Sequence, residues 1–294
     1  FMIIWLASYP KSGNTWLRAF LGSYIYMKHN ENTFNFDILN KIEQFPQLKH
    51  FQNIGKIPKN FDEVTKLWIP MQNKINLNNN IKFLKTHNAY GSLNNHHFTD
   101  KNNTLGAIYI VRDPRDVLVS YSKHMSNNIQ ETLKYILEDN HMGLLDGINN
   151  VFSELRGSWG QNYNSWKHFN ISTKILIKYE DLIDKPFDTF LKIIKYINHL
   201  TKIEVNEDKI QKCIKICEFK NLQNLEKKIG FAEKPKENEL FFNNRQLNNL
   251  SNTDINSFLD SNSQRVRLAD KISKINLLRH TYTRTRKKEV QDLF

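Results

Sequence analysis

The chain opens on a short apolar run that stops abruptly in a polar turn, and this feature constrains the fold most. Met2 to Ala7 are all apolar, as in a strand that is buried on both faces. Pro10, Ser12 and Gly13 interrupt the run, and from Asn14 the apolar residues recur with a helical period, so that Ser12 or Asn14 is placed to cap the helix. The opening therefore predicts a buried parallel strand, a tight loop and a helix.

The same order of elements recurs further along the chain. The predicted strands, each with any helix that follows it, are Ile81–Lys85, Leu105–Val111 with Pro114–Met125, and Lys174–Tyr179 with Glu180–His199. Strands that alternate with helices favour a parallel sheet with right-handed crossovers. No linker interrupts this pattern, so we predict one three-layer α/β domain over residues 1–294 with a central parallel sheet.

The remaining segments are less regular. Residues 30–80 are rich in Asn, Lys and Phe and predict an irregular insertion with short helices. Aromatic residues between Val151 and Phe169 recur at roughly helical spacing and are interpreted as core. Towards the end of the chain we predict, in order, a helix from Thr201 through Cys213 to Phe219, a polar loop around Glu233–Lys236, a helix at Ile255–Ile272 and a basic tail over residues 279–294.

The charge balance indicates an anionic partner without choosing it. Lys and Arg number 42 against 30 Asp and Glu, a net charge of +12. Nucleic acid, a membrane surface and a polyphosphorylated small molecule all fit, and so does a mere compositional bias towards Lys, Asn and Ile. The apolar run Met2–Ala7 is too short to span a bilayer and lacks the features of a secretory signal, which favours a cytoplasmic protein.

Neither the cysteines nor the histidines suggest a metal. Cys213 and Cys217 are the two cysteines, and they lie four residues apart in a predicted helix, where they share a face but do not bridge comfortably. We expect reduced core thiols. No cluster of His and Cys has the spacing of a metal site, so no metal is expected.

The first loop has the composition of an anion-binding site. Lys11, Ser12 and Thr15 offer a positive charge and two hydroxyls between a strand and the N-terminus of a helix, where backbone N–H groups and the helix dipole also favour an anion. The loop lacks the G-x-x-x-x-G-K-[ST] pattern of a Walker A motif, which argues against a kinase or ATPase. A plain turn with an exposed lysine remains the alternative.

The segment Tyr9-Pro10-Lys11-Ser12-Gly13-Asn14-Thr15-Trp16 resembles the first loop of the sulfotransferases that use 3′-phosphoadenosine 5′-phosphosulfate (PAPS), in which the sequence is Tyr-Pro-Lys-Ser-Gly-Thr-Thr-Trp. Only Asn14 departs from it. The resemblance implies a P-loop nucleoside-triphosphate-hydrolase-like fold and PAPS as the cofactor, with adenosine 3′,5′-bisphosphate (PAP) as its product. It places the donor on Lys11, Ser12, Gly13, Asn14 and Thr15, with Trp16 stacked on the adenine.

The segment Lys85-Thr86-His87, at the end of a predicted strand, resembles the family's Lys-Thr-His, in which the histidine is the catalytic base. A neutral imidazole accepts a hydroxyl proton at modest cost, and strand ends are where α/β folds bind ligands. The resemblance implies that Lys11 neutralises charge on the bridging oxygen while Lys85 holds the sulfuryl oxygens.

The segment from Tyr109 to Tyr121 resembles the family's 3′-phosphate segment, in which an arginine and a serine eight residues later bind the phosphate. They correspond to Arg112 and Ser120. A guanidinium fork suits a phosphate dianion. The alternative is that Arg112 pairs with a neighbouring aspartate at a surface turn.

Two further aromatics resemble residues around the adenine. Tyr179, in Lys178-Tyr179-Glu180-Asp181-Leu182, matches the family's Tyr-Glu-Asp turn, and Phe219 resembles the phenylalanine on the second face of the base. Gly157-Ser158-Trp159 resembles a helix near the acceptor pocket. Each of these aromatics would also suit a plain core position.

One departure from the family is large. The Arg-Lys-Gly and Gly-Asp-Trp-Lys elements that close over the 3′-phosphate are absent, and the nearest stretch is Phe241 to Leu247. Arg245 would replace this clamp, or Lys234 and Lys236 would.

The sequence therefore predicts a sulfotransferase that acts on a hydroxyl or amine of a small-molecule or glycan acceptor, with His87 as base. A catalytically inactive nucleotide-binding homologue is one alternative, and the missing clamp supports it. A basic nucleic-acid-binding protein is the other. Nucleic acid is not favoured as a partner, because it leaves the ordered motifs unexplained.

Overall fold

Four parallel strands form the centre of the fold in this computed structural model, which describes residues 2–28, 30–78, 80–144, 152–233 and 240–242. The strands are β1 Ile3–Ser8, β2 Lys82–Thr86, β3 Ser92–Leu93, β4 His96–His97, β5 Thr104–Val111, β6 Met142–Leu144, β7 Phe152–Leu155 and β8 Thr173–Lys178. The helices are α1 Asn14–Tyr26, α2 Leu48–Asn53, α3 Phe61–Asn76, α4 Pro114–Met125, α5 Ile129–Leu137, α6 Trp159–Lys167, α7 Tyr179–Asp184, α8 Pro186–Thr201, α9 Glu207–Ile216 and α10 Phe219–Ile229, together with a 3₁₀ helix at Phe36–Lys41.

The central sheet has the strand order β2-β1-β5-β8, with every neighbouring pair parallel. The pairs β3-β4 and β6-β7 form two small antiparallel sheets. The four strands predicted from apolar runs are thus confirmed, with bounds that differ by one residue.

Both faces of the sheet are buried, which explains the uninterrupted apolar run of β1. Ile4 and Leu6 pack into a core with Leu17, Phe20 and other residues of α1, α8 and α9. On the opposite face, Trp5 packs with residues of α3 and α6, among them Trp68, Trp166 and Met71. Helices therefore cover the sheet on both sides, and the predicted three-layer α/β fold is confirmed.

The insertion at residues 30–80 is more regular than expected. Its largest element is α3, a helix of 16 residues that buries Val64, Trp68 and Met71 against the sheet. The side chain of Asn60 caps this helix by accepting a hydrogen bond from the backbone N–H of Glu63. The prediction of short helices alone was wrong, because the i, i+4, i+7 spacing of these three residues outweighs the helix-breaking effect of a proline.

Helical spacing was misleading between Val151 and Phe169. Phe152–Leu155 is a strand that pairs with β6, and α6 begins only at Trp159, after Gly157 at a positive φ of 64°. Ser158 caps α6 by accepting a hydrogen bond from the backbone N–H of Gln161. The aromatics Trp159, Trp166 and Phe169 are buried, as predicted.

Two predicted helices are each divided in two. Pro186 has no N–H to continue α7, so α8 starts afresh at this residue. An extended backbone at Glu218 separates α9 from α10. Cys213 and Cys217 are free and buried, as expected, and burial raises the pKa of their thiols to about 11 and about 12.

In the described ranges, no helix combines the length and the apolarity that crossing a membrane requires. Among the same residues, no group of His, Cys, Asp and Glu is arranged to hold a metal ion. Arg245, Lys234, Lys236, the predicted helix Ile255–Ile272 and the basic tail lie outside the described residues. The prediction that one domain spans residues 1–294 stays a prediction.

We predict that Pro70→Ala stabilises the protein. Pro70 is exposed in the middle of α3, where it supplies no N–H to the carbonyl of Lys66 and contributes little to the core. Replacing an interior helical proline by alanine should raise the free energy of unfolding by about 1–3 kcal/mol, measured by denaturant titration. The matched control, Lys74→Ala at an exposed position of the same helix, should change it by less than about 0.5 kcal/mol. An unchanged or lower stability in Pro70→Ala would contradict the prediction.

Candidate active site

The loop between β1 and α1 turns sharply, and a glycine is required at its end. Lys11 has a φ of 64° and Gly13 a φ of 98°, in the left-handed region that favours glycine. A Cβ at Gly13 would lie 2.3 Å from Cδ2 of Tyr179. Gly13 therefore serves both the turn and the close approach of the Tyr179 ring to the loop.

The start of α1 has no side-chain cap, contrary to the expected capping by Ser12 or Asn14. The N-cap residue is Gly13. The Asn14 side chain turns back towards β1, where Nδ2 donates hydrogen bonds to the carbonyl of Leu6 at 2.9 Å and to Oγ of Ser8 at 3.2 Å. No side chain therefore caps the first backbone N–H groups of α1. A helix start of this kind is suited to binding an anion.

Three polar atoms at this helix start are buried without a hydrogen-bond partner: Oγ of Ser12, Oδ1 of Asn14 and Nε of Arg112. Ser12 and Arg112 are able to donate, whereas Oδ1 of Asn14 only accepts. Arg112 follows β5, donates from Nη1 to the carbonyl of Lys11 at 3.1 Å, and lies over the Tyr179 ring at 4.3 Å. Its Nε is 4.0 Å from the nearest carboxylate oxygen of Asp116, too far for a hydrogen bond. Buried polar groups are normally paired, and an anionic ligand at this helix start would pair both the Ser12 and the Arg112 donor.

Two lysines bring positive charge to the same edge of the sheet. Lys11 lies in the first loop, with Nζ 4.1 Å from the centroid of the Phe241 ring, and Lys85 lies near the carboxyl end of β2. Burial, followed by repulsion from Lys85, lowers the pKa of Lys11 to about 8. Burial also lowers the pKa of Lys85. An anion placed between the two lysines would favour their charged forms and raise both pKa values.

His87 directly follows β2, and its hydrogen bond defines the state of its ring. Nδ1 lies 2.8 Å from the carbonyl oxygen of Ser8. Because a carbonyl oxygen only accepts, the proton is on Nδ1 and Nε2 carries a lone pair. Burial, then the charges of Lys85 and Arg156, hold the pKa of His87 well below its ordinary value. The imidazole is therefore neutral at physiological pH and able to accept a proton at Nε2.

The predicted adenine-binding aromatics lie together but do not form an open slot. Trp16 and Phe219 contact each other edge to face, with ring centroids 5.1 Å apart and planes at 65°, and Tyr179 meets Trp16 at 6.4 Å. A base held between two rings requires parallel planes about 7 Å apart, twice the ordinary stacking distance. Trp16 also donates from Nε1 to the carbonyl of Cys217. Sandwiching of adenine stays a prediction and requires these rings to part.

Ser120 and the segment near Arg245 complete the predicted set. Ser120 is half-buried on α4, in the second turn after Arg112. Arg245 lies outside the described residues, but Phe241 and Phe242, at the start of the same stretch, reach the site. Their backbone N–H groups donate to the two carboxylate oxygens of Glu226 at 2.7 and 3.0 Å, which holds the Phe241 ring against Lys11.

The structure adds charged residues that the sequence did not indicate. Arg18 donates from Nη1 to Glu233 at 2.7 Å, although the two residues are far apart in the chain. The fully buried Glu154 pairs with Arg156, which also donates to the hydroxyl of Tyr121 at 2.9 Å. Arg18 and Glu233 lie in separate segments 215 residues apart, and Glu154 and Arg156, although only two residues apart, match no recognisable motif.

His124 is a second imidazole near the site. It lies one turn after Ser120 and Tyr121 on α4, and its ring is 6.4 Å from that of Phe241, which also contacts Lys11. Nδ1 of His124 is buried without a partner. Burial, followed by the charges of Lys11 and Lys85, lowers its pKa to about 4, so this imidazole is neutral as well.

Comparison with known proteins places the chain beside enzymes that transfer sulfuryl groups. The sulfotransferase domain family matches residues 3–264. The flavonol 3-sulfotransferase of Flaveria bidentis is 26% identical over 248 residues, which are 81% of this chain and 72% of that protein. The flavonol 4′-sulfotransferase of Flaveria chlorifolia is 28% identical over 251 residues, 81% of this chain and 70% of that protein.

Among solved structures, a mouse sulfotransferase complexed with PAP is similar, with a TM-score of 0.43 and 21% identity. The match covers 76% of this chain and 65% of the mouse protein, so the chain spans just under two thirds of its length.

Proposed function

The chain belongs to the sulfotransferase domain family, and on that basis we propose that it transfers the sulfuryl group of PAPS to an acceptor hydroxyl, with His87 as the base. The observation that carries the proposal is the convergence of an uncapped helix start, two unpartnered buried donors and a neutral histidine at one edge of the sheet. An amine acceptor fits the same chemistry, because it too must lose a proton.

The residues of this chain fit the donor. Oγ of Ser12 and Nε of Arg112 are buried donors without partners, as a site for a phosphorylated ligand requires. Lys11, Ser12 and the first N–H groups of α1 would hold the 5′ end, while Arg112 and Ser120 would hold the 3′-phosphate. Tyr179 supports this arrangement by stacking on the Arg112 guanidinium and packing over Gly13.

The donor supplies the sulfuryl group that passes to the acceptor. The protein contributes a base and a positive field. Nε2 of His87 accepts the proton of the acceptor hydroxyl, and the carbonyl of Ser8 keeps the imidazole in the tautomer that this requires. Lys11 and Lys85 stabilise negative charge that grows in the transition state, and their burial strengthens that interaction.

A small-molecule acceptor agrees with the relatives, three of which are named for flavonols. Flavonols carry phenolic hydroxyls. The phenol of Tyr9, next to the Ser8 that contacts His87, and Nδ1 of His124, whose ring contacts Phe241, are buried without partners, and they would line the acceptor side. Two neutral polar groups favour a neutral hydroxyl over a charged group there.

The pH dependence of kcat/KM for PAPS should follow from the two shifted groups. His87 must be neutral to accept a proton, and its lowered pKa keeps it neutral as the pH falls through 6.5. Lys11 must be charged to bind the donor. Because the pKa of Lys11 is about 8, kcat/KM should fall as the pH rises above that value. The profile should be measured with an acceptor that does not itself ionise in the range. Lys11→Arg, which stays charged, should move the alkaline limb upwards. An acid limb near pH 6.5, or an alkaline limb unmoved in Lys11→Arg, would contradict this assignment.

Binding and turnover should separate in two variants. His87→Ala should leave the affinity for PAP nearly intact and reduce kcat by roughly 10²–10⁴, the usual contribution of a positioned base. Lys11→Ala should weaken PAP binding and reduce kcat, because this lysine would touch the donor in both the ground state and the transition state. Calorimetry gives the first quantity and a sulfuryl-transfer assay the second. His199→Ala, an exposed histidine on α8, serves as the control.

Equal losses of PAP affinity in His87→Ala and Lys11→Ala would show that His87 only supports the loop. Unchanged turnover in His87→Ala would remove it from the mechanism. No detectable turnover in the wild-type chain with any hydroxyl or amine acceptor, together with PAP binding, would favour the inactive homologue.

A further inference from the structure

A carboxylate of the chain itself lies at the start of α1. Glu233 accepts a hydrogen bond from Nη1 of Arg18 at 2.7 Å and another from Oγ1 of Thr15 at 3.2 Å, and it lies 3.9 Å from Nζ of Lys85. These three partners come from two elements, the first turns of α1 and the end of β2. Together they form a small anion-binding subsite in which the carboxylate of Glu233 is the bound anion.

Arg18 is held rigidly in the orientation that serves this subsite. Its Nε donates to the carbonyl of Ile42 at 2.9 Å and its Nη2 to the carbonyl of Leu39 at 3.0 Å, so Nη1 is directed at Glu233. Thr15 and Arg18 are three residues apart and therefore share a face of α1. With only 4% of its surface exposed, Arg18 carries a buried charge that requires an anion.

Two members of the subsite belong to the proposed donor site. Thr15 is part of the first loop and Lys85 precedes His87, so an anion at this position and the donor's anionic 5′ end would need the same groups. The unpartnered Oγ of Ser12, in the same loop, shows that Glu233 does not satisfy the whole loop. Glu233 is thus an incomplete substitute for a larger anion.

The two buried arginine–carboxylate pairs of the site differ in whether the carboxylate is able to leave. Glu154, the partner of Arg156, is fully enclosed. Glu233 keeps 35% of its side chain exposed, so water is able to solvate it as it departs. Burial alone would raise the pKa of Glu233, but Lys85 and Arg18 outweigh that effect and lower it to about 2. The ligand now in the subsite is therefore a full negative charge.

We propose that Thr15, Arg18 and Lys85 form a subsite for the anionic 5′ end of the donor, that Glu233 fills it in the donor-free protein, and that the donor displaces this carboxylate. Arg18 is then a donor-binding residue. The proposal rests on the proposed function, because it takes the ligand to be PAPS or PAP.

The first test is the affinity for PAP of Glu233→Gln, measured by calorimetry on the full chain. The amide still accepts hydrogen bonds from Arg18 and Thr15 but lacks the charge that competes with a phosphate. We expect about tenfold tighter binding than in the wild type, the scale of one charge-assisted hydrogen bond. Glu207→Gln, an exposed carboxylate in the first turn of α9, should leave the affinity unchanged. Unchanged or weaker PAP binding in a folded Glu233→Gln would overturn the proposal.

The second test asks whether Arg18 contacts the donor. In the Glu233→Gln background, Arg18→Gln should weaken PAP binding by about tenfold or more, because the charged donor group is gone. Unchanged affinity would show that Arg18 serves Glu233 alone and would overturn its assignment. If circular dichroism shows that the double variant is unfolded, the Glu233→Gln measurement decides the proposal.

The outcomes separate this inference from the proposed function. If neither the wild type nor Glu233→Gln binds PAP, the proposed function is wrong. If the wild type binds PAP and Glu233→Gln shows no gain, only the subsite is wrong.

Discussion

The site depends on buried positive charge gathered at one edge of a parallel sheet. The carboxyl ends of β1, β2 and β5 meet at that edge, and Lys11, Lys85 and Arg112 lie at or just beyond them. Burying a cation is unfavourable unless an anion compensates it. The fold thus favours an anion at this edge, and the uncapped start of α1 adds backbone N–H donors that favour an anion at the same place.

Carboxylates of the chain compensate part of this positive charge, and they differ in how exposed they are. Glu154 is enclosed with Arg156 and belongs to the permanent structure around His87. Glu233 is partly exposed and shares its partners with the proposed donor site. Burial, followed by the charges of Lys85 and Arg156, holds the pKa of His87 low and keeps the imidazole neutral. Part of the positive charge proposed to bind the donor therefore also keeps the proposed base unprotonated.

The sequence indicated the sheet well, because its strands depend on local patterns. Strands buried on both faces are continuous apolar runs, and Lys11, His87 and Arg112 each follow such a run. Strand β7 was not predicted, because it has only four residues and its pairing with β6 is not visible locally. Arg18 and Glu233 were missed for the same reason: the hydrogen bond between them spans 215 residues.

The relation between Trp16 and Phe219 also lay beyond the sequence. A motif predicts that two aromatic rings are near each other, but the angle between their planes is set by the packing of α1 against α10. Because the two rings meet edge to face, they would have to part for an adenine to stack between them as predicted.

The most direct test of the account is a calorimetric comparison of PAP with AMP, which lacks the 3′-phosphate. Because Arg112 and Ser120 are assigned to that phosphate, PAP should bind at least about tenfold more tightly than AMP. Equal affinity for the two nucleotides would contradict the assignment of the site to a 3′-phosphorylated donor.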